Sequence, residues 1–254
     1  MHVNASLDDI AAYLDDLLHV ARYQEAEPGA NGLLYRAGAG VSKFAVAVNT
    51  SLTTIVGAAK TGAQLLVVHH PSWPDNDLHL YDEKTAALEA GGISLYAAHA
   101  SLDCAPGIGN SHVLAEALGV VVDGTFGDMY GGHCGVIGNA GGGDFATFIR
   151  AVSQTLGAQA EAHAHAKTFA RVAIVAGGGG APALLDEARR LGADTYVTGE
   201  GKMFTRMFAR ETDMNLVFAT HHATEAPGIR ALGERIAAQS QLPWEFIADS
   251  PDVF

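Results

Sequence analysis

The feature that most limits the fold is an alternation of short apolar runs with segments of helical periodicity. Residues 44–48 form an apolar run with β-branched side chains, and residues 64–68 form a nearly continuous apolar run, as in strands buried on both faces of a parallel sheet. Between them, Ser51 is a good helix N-cap and Gly62 a good helix end. This pattern predicts a strand–helix–strand unit, the building block of α/β folds.

The same alternation continues along the chain. An opening helix is predicted after Ser6, because apolar residues follow it at helical spacing and Asp9 stands where a capping box has its acidic residue. Further helices are predicted at 83–90, 110–118, 145–156, 183–191, 203–211 and 227–238. Further strands are predicted at 93–97, 172–175, 195–197, 216–218 and 244–247. The chain is therefore expected to be an α/β protein with mainly parallel sheets.

A glycine-rich segment, residues 124–143, interrupts the alternation and is the candidate domain boundary. It divides the chain into a first α/β lobe, residues 1–125, and a second, residues 126–254, which we expect to interdigitate. A weak internal echo supports this division: residues 46–70 and 172–200 share the order of strand, helix, Gly-Ala dipeptide and strand. The echo is compatible with a duplication and equally with chance.

Histidines and carboxylates cluster where three predicted strands end. These residues are His69, His70, His99, Asp103, His221 and Glu225. Because α/β proteins place their chemistry at the carboxyl ends of parallel strands, three such clusters together predict a metal site. Each cluster alone has an ordinary alternative, such as a hydrogen-bonded loop pair or a surface turn.

The geometry of two of these clusters depends on where an element ends. Neighbouring strand residues point to opposite faces, so we expect the strand to end at His69 and His70 and the backbone to turn there, as Pro71 favours. Residues 221–225 are expected to form a strand end and turn before a helix whose first turn contains Pro227.

The composition limits both the metal and the partners. With two cysteines, Cys104 and Cys134, the chain cannot form a thiolate cage, and imidazole with carboxylate suits Zn²⁺, Fe²⁺, Mn²⁺ or Co²⁺. The net charge of −13 disfavours binding to nucleic acid and to anionic membranes. Without a signal peptide pattern or a long apolar span, and with so few cysteines, we expect a cytoplasmic protein that does not associate with membranes.

One glycine run has two interpretations. Residues 177–180 are four glycines between a predicted strand and a predicted helix, where a phosphate could bind the helix N-terminus. The run does not complete the GxGxxG spacing, because Pro182 stands at the last position. A tight strand-to-helix turn is the alternative that we favour.

Four motifs occur along the chain in a fixed order. They are Val67-Val68-His69-His70-Pro71, His99-x-x-x-Asp103 followed by Gly109-Asn110, Ala193-Asp194-x-Tyr196-Val197-Thr198-Gly199-Glu200, and His221-x-Ala223-Thr224-Glu225-x-x-Gly228. With these motifs the sequence resembles a known family, the NIF-three-like dinuclear-metal-centre proteins, also called GTP cyclohydrolase I type 2 homologues. The resemblance extends from about Gly32 to Ile247.

The resemblance implies a fold, a ligand set and an assembly. The fold would have two similar α/β lobes with a metal cleft between them and no inserted middle domain, in subunits that form a homohexameric ring. Two divalent ions per subunit would be held by His69, His70, Asp103, His221 and Glu225, with Glu225 as the bridging carboxylate. His99 would lie in the cleft as a supporting residue or a proton donor.

The resulting functional hypothesis is a metal-dependent hydrolase. A metal-activated water would attack a phosphoester, an amide or a nucleotide ring C–N bond, and the metal charge would attract a small anionic substrate. His99 and Glu200 are the candidate catalytic acid/base groups. The alternative is a non-catalytic metal-binding or regulatory scaffold ring, which would need neither group near the metals. GTP cyclohydrolase activity is implied by the family name alone.

Overall fold

The computed structural model describes residues 4–249, which divide into two compact units. Unit 1 contains the described residues up to Ala105 and those from Ile229 onward, and unit 2 contains Pro106–Gly228. The expected lobes, 1–125 and 126–254, differ from this division in two places. The first unit ends at residue 105 instead of 125, and the residues from Ile229 onward are in unit 1 instead of the second lobe. The C-terminal segment belongs to unit 1 because its last strand adds to the sheet of that unit.

The elements follow the α/β order expected from the sequence. The strands of the described residues are β1 (Ala5–Ser6), β2 (Asn31–Tyr35), β3 (Gly40–Val41), β4 (Phe44–Asn49), β5 (Leu65–His70), β6 (Ser94–Ala98), β7 (Val121–Met129), β8 (Gly132–Asp144), β9 (Glu161–His163), β10 (Thr168–Val175), β11 (Thr195–Thr198), β12 (Asn215–Phe218) and β13 (Trp244–Phe246). The helices are α1 (Leu7–Leu17), α2 (Ala21–Gln24), α3 (Leu52–Thr61), α4 (Pro74–Asp77), α5 (Leu80–Gly91), α6 (Ala100–Asp103), α7 (Asn110–Ala117), α8 (Phe145–Leu156), α9 (Pro182–Arg190), α10 (Met203–Glu211) and α11 (His221–Ser240).

Unit 1 is built on a five-stranded sheet in the order β13-β4-β5-β6-β2. Its first four strands are parallel and β2 is antiparallel to β6. The predicted strand–helix–strand unit is β4–α3–β5: Ser51 accepts a hydrogen bond from the Thr54 amide at the start of α3, and Gly62 ends that helix at a φ of 77°. The parallel order brings the ends of β5 and β6 to the same edge of the sheet.

Burial on both faces explains why β4 and β5 are continuous apolar runs, since residues 44–48 and 65–68 are all buried. One cluster of fully or almost fully buried residues lies between the sheet and the helices α3 and α5. Its members are Ala45, Ala47, Ile55, Ala58, Ala63, Leu66, Val68, Leu88, Ile93, Leu95 and Ala97. Removal of this much apolar surface from water is the main term that stabilises the unit.

Unit 2 is built on a six-stranded sheet in the order β7-β8-β10-β11-β12-β9. The three central strands, β10, β11 and β12, are parallel, and the flanking strands are antiparallel to their neighbours. The core packs α7 and α8 against this sheet, with Phe145, Phe148 and Val152 of α8 among its buried residues. Both units therefore confirm the α/β class with parallel strands at the centre of each sheet.

The glycine-rich segment is not a linker. Residues 124–143 lie almost entirely within the antiparallel pair β7 and β8. Glycine is needed there for close strand packing: a Cβ atom on Gly138 would lie 2.1 Å from the backbone oxygen of Val121. The hairpin is not predicted from the sequence, because glycine is depleted in ordinary strands and a run rich in glycine therefore indicates a boundary.

Among residues 4–249, no helix has the length and apolar character that crossing a lipid bilayer requires.

Candidate metal centre

His69 and His70 are the last two residues of β5, so the strand ends at this pair as expected, but both residues lie within the strand. The pairing of β5 with β4 continues to the Asn49–His70 pair and keeps the backbone extended. His69 is buried, at 1% exposure, and His70 is partly buried. Their ring centroids nevertheless lie only 4.5 Å apart with the planes tilted by 47°. The two neighbouring imidazoles therefore lie close together at this strand end without a turn.

His99 joins this pair in unit 1. It follows β6 directly and stands before the short helix α6. Its ring centroid lies 5.2 Å from that of His69 and 5.6 Å from that of His70. One nitrogen from each of the three rings can be chosen so that all lie within 4.8 Å of one another. This is a spacing at which three imidazoles can share one metal ion, so His99 is itself a candidate ligand.

In each of the three rings, Nδ1 forms a hydrogen bond with an oxygen atom. The three pairs are His69 Nδ1 with Ala98 O at 2.8 Å, His70 Nδ1 with Asn49 Oδ1 at 2.7 Å, and His99 Nδ1 with Glu27 Oε2 at 2.9 Å. Carbonyl and carboxylate oxygens only accept hydrogen bonds, so each Nδ1 donates. In a neutral imidazole the lone pair is then on Nε2, the atom that would coordinate a metal.

Asp103 is the last residue of α6, one turn after His99. Its Oδ1 lies 3.7 Å from His69 Nε2, and its side chain is 15% exposed. The carboxylate therefore faces Nε2, the nitrogen of His69 that would coordinate a metal. Four of the seven residues singled out in the sequence, His69, His70, His99 and Asp103, thus lie together at one edge of the unit 1 sheet.

Glu27 is a functional residue of this site that the sequence does not predict. Its Oε2 accepts hydrogen bonds from His99 Nδ1, from the Ala100 amide at 3.3 Å and from Asn31 Nδ2 at 3.3 Å. Burial by itself raises the pKa of Glu27, but these donors outweigh it and hold the pKa below its usual value. Glu27 therefore stays ionised and orients His99. A lone acidic residue some seventy positions away in the chain has no sequence signal for this role.

In unit 2, helix α11 begins at His221, six residues before the expected start at Pro227. Pro227 lies inside the helix. His221 and Glu225 are consequently one turn apart on the same helix face, with His221 Nε2 3.0 Å from Glu225 Oε1. The side chain of Glu225 is 3% exposed. The predicted convergence of these two residues is present, but a helical turn produces it.

Glu200 contacts the other nitrogen of His221. Its Oε1 lies 3.1 Å from His221 Nδ1, and its side chain is 64% exposed. Burial alone lowers the pKa of His221, but the hydrogen bonds and charges of Glu225 and Glu200 outweigh it and raise the pKa to about 9. The two carboxylates thus favour positive charge on this imidazole. They would also attract a cation coordinated by Nε2.

Two glycines allow the backbone to approach this helix start. A Cβ atom on Gly177, whose φ is +67°, would lie 2.0 Å from Glu225 Oε1 and 3.0 Å from His221 Nε2. A Cβ atom on Gly199 would lie 2.6 Å from the oxygen of Gly177 and 2.7 Å from His221 Cα. The glycine run after β10 is therefore required by close packing around Glu225, which agrees with the tight-turn interpretation.

A cavity of about 490 Å³ lies in unit 2 beside Glu200. It is lined by the turn after β10 and the turn after β11, including Gly178, Glu200, Lys202 and Phe204. A cavity of this volume is within the range of small-molecule sites, and it lies at the carboxyl ends of parallel strands. Glu200 therefore connects the cavity to His221.

The donor sets fit a divalent metal ion. Unit 1 offers imidazole Nε2 atoms oriented by hydrogen bonds at Nδ1, together with the carboxylate of Asp103. Unit 2 offers His221 and the buried carboxylate of Glu225, cradled by Gly177. Neutral imidazoles with carboxylates and no thiolate suit the borderline divalent metals, and the oriented tautomers are typical of metal ligands.

Comparison with known proteins points to one family. The family model described as Duf34/NIF3 (NGG1p interacting factor 3) matches residues 5–252. A Deinococcus radiodurans protein named GTP cyclohydrolase 1 type 2 homolog is 34% identical, covering 94% of this chain and 92% of its own length. A Halobacterium salinarum protein of the same name is 35% identical, covering 95% and 97%. The crystal structure of TTHA1606 from Thermus thermophilus matches with a TM-score of 0.84 at 29% identity, covering 97% and 99%.

Proposed function

This chain belongs to the Duf34/NIF3 family, and on that premise we propose that it is a metal-dependent hydrolase that binds two divalent ions per chain. The proposed ligands are His69, His70, Asp103, His221 and Glu225. A bound divalent ion supplies Lewis acidity and lowers the pKa of a coordinated water toward about 7. The observation that carries the proposal is the convergence of three imidazoles in unit 1, each with its Nδ1 on an oxygen acceptor.

The chain itself supplies charge and position. Asp103 and Glu225 provide negative charge that offsets the charge of the ions, and the burial of Glu225 strengthens its attraction for a cation. The acceptors behind His69 and His70 orient the rings before a metal arrives. Less conformational freedom is then lost on binding, which increases the affinity for the metal.

Two groups are proposed to transfer protons. His99 is held by the ionised Glu27, an arrangement that orients an imidazole for proton transfer. Glu200 is exposed at the cavity of unit 2 and contacts His221. Either group can deliver a proton to a leaving group or remove one from water at its own side of the site.

The proposed substrate is a small anion with a phosphoester, an amide or a nucleotide ring C–N bond. The size of the unit 2 cavity supports a small molecule, and Lys202 places a positive charge on its lining. The relatives named GTP cyclohydrolase 1 type 2 homolog make GTP the first nucleotide to assay. Product detection after incubation with GTP tests directly whether the protein hydrolyses this nucleotide.

Metal analysis tests the binding part of the proposal. Protein purified without chelator and reloaded with Mn²⁺, Zn²⁺, Fe²⁺ or Co²⁺ is expected to hold about two ions per chain. Glu225→Gln removes a buried charge at nearly constant volume and is expected to lower this occupancy. Glu211→Gln, at the end of α10, is the matched control and should leave it unchanged. An occupancy well below one ion per chain in the wild-type protein would refute metal binding.

A substrate panel tests the catalytic part. Phosphoesters, amides and nucleotides are assayed with each metal. Activity is expected to depend on the metal, and the activity per bound metal ion is expected to fall in His99→Gln. A protein that binds metal fully but hydrolyses nothing on the panel would favour the alternative, a non-catalytic metal-binding or regulatory scaffold. The panel therefore separates the two functions without any assumption about the natural substrate.

A further inference from the structure

Asn49 and Asp249 lie on the Nδ1 side of His70 in unit 1. Asn49 ends β4 and is paired in register with His70 at the end of β5. Its Oδ1 lies 2.7 Å from His70 Nδ1, and its Nδ2 donates to Asp249 Oδ2 at 2.8 Å. Asp249 is 6% exposed, and its other oxygen accepts from Ser51 Oγ at 2.6 Å. The three side chains form a line from a buried carboxylate, through an amide, to a candidate metal ligand.

The carboxylate determines which way the amide points. A carboxylate only accepts hydrogen bonds, so the NH₂ group of Asn49 must face Asp249 and the Oδ1 atom must face His70. The reversed amide would place two oxygens against each other at the 2.8 Å separation. Because Oδ1 only accepts, Nδ1 of His70 carries the proton, and the lone pair of the neutral ring is on Nε2.

His70 differs in this respect from the other two histidines. His69 is held by the backbone oxygen of Ala98 and His99 by an ionised carboxylate, and neither acceptor has a donor end to offer instead. The amide of Asn49 could face His70 with either end. A further residue is needed to select the end, and Asp249 is placed to do so.

We propose that Asp249 is a positioning residue that acts through Asn49 to hold His70 in the tautomer protonated at Nδ1, with the lone pair that coordinates a metal on Nε2. The metal part of this inference rests on the proposed function. The tautomer part concerns the protein alone, so it can be tested without metal. Outer hydrogen-bond partners of metal-binding histidines commonly raise affinity in this way.

The test is Asp249→Asn, which replaces the carboxylate with a group of the same size that can both donate and accept. Two-bond ¹H–¹⁵N correlation spectra of metal-free protein report the tautomer of each histidine, and His70→Gln assigns the His70 signals. The wild-type protein is expected to show the Nδ1-protonated form, and Asp249→Asn a mixture of both tautomers. Its Zn²⁺ affinity is expected to fall about ten- to a hundredfold.

Ser51→Ala is the matched control. It removes the other hydrogen bond to Asp249 and the cap of α3, so it loosens the same region but leaves the Asn49–Asp249 bond in place. It should keep the wild-type tautomer and Zn²⁺ affinity. The inference is overturned if Asp249→Asn keeps the wild-type tautomer, or if Ser51→Ala changes it equally. A wild-type protein that binds no metal would refute the proposed function, while the tautomer spectra still decide the role of Asp249.

Discussion

At the residue scale, the candidate site depends on groups whose importance cannot be read from their own type. Gly177 has no side chain, yet its missing Cβ leaves the space that Glu225 occupies. Glu27 and Asn49 are ordinary polar residues until the fold brings them to the Nδ1 atoms of His99 and His70. The candidate ligands can be identified from the sequence by their residue type, but the residues that orient them lie far away in the chain.

Gly177→Ala is expected to destabilise unit 2 and reduce metal binding. The added Cβ would overlap Glu225 Oε1, and the positive φ would cost about 1–2 kcal/mol in any residue with a Cβ. Gly157→Ala is the control, since Gly157 has a φ of +63° and no atom within 4 Å of its Cβ position. Urea unfolding and metal occupancy of the two variants separate backbone strain from steric overlap. Equal unfolding midpoints with normal metal occupancy would show that the overlap is relieved without cost.

At the element scale, the site follows from where strands end and helices begin. The ends of β5 and β6 bring His69, His70 and His99 to one edge of a sheet, and the first turn of α11 brings His221 to Glu225. The predicted start of α11, Pro227, is six residues after the observed start. Proline is common in the first turn of a helix, but here it lies inside the helix. Tertiary packing around the helix start overrides that local preference.

The junction of α4 and α5 provides a test of pH dependence. Asp77 accepts hydrogen bonds from Lys84 Nζ at 2.7 Å and from Ser72 Oγ. Burial by itself raises the pKa of Asp77, but these donors outweigh it and lower the pKa below 3.8. The unfolded chain therefore takes up the proton first as the pH falls. The stabilisation by Asp77 is fully present above about pH 3.8 and is lost as the pH falls through the lower folded-state pKa.

Asp77→Asn is accordingly expected to reduce the free energy of unfolding by up to about 1 kcal/mol at pH 7, with a smaller difference from wild type at pH values below about 3.8. Urea unfolding over this pH range is the measurement. Asp75→Asn, in the same short helix, changes an exposed carboxylate and should have little effect at any pH. A difference between Asp77→Asn and wild type that grows as the pH falls would contradict the argument.

At the scale of the whole molecule, the net charge limits which partners the chain can bind. A net charge of −13 opposes phosphate backbones at long range, so we propose that the partners are small molecules and further copies of this chain. Salt-dependent binding to single-stranded DNA would contradict this.

The resemblance found in the sequence predicts a homohexamer. Sedimentation equilibrium is expected to give about six times the 26.4 kDa mass of one chain. The mass should be independent of protein concentration over the measured range, as for a closed ring. A monomer or dimer at all concentrations would refute the hexamer, and it would leave the metal proposal to its own test.

The sequence by itself determined the class of fold, most of the elements and the residue types of the candidate site. Periodicity and caps are local signals, so α8 and α10 were predicted at their observed bounds and the ends of α3 at Ser51 and Gly62. The histidines and carboxylates indicated a metal site through their type and their positions after strands.

Only the tertiary structure decided the rest. It placed the glycine-rich segment in a hairpin and the C-terminal strand in the sheet of unit 1. It also brought Glu27 to His99, Asn49 to His70, and Asp249 to Asn49. The physical reason is that hydrogen-bond partners and packing neighbours are selected by distance in space. Residues 21 to 200 positions apart in the chain make these contacts, and no local pattern encodes them.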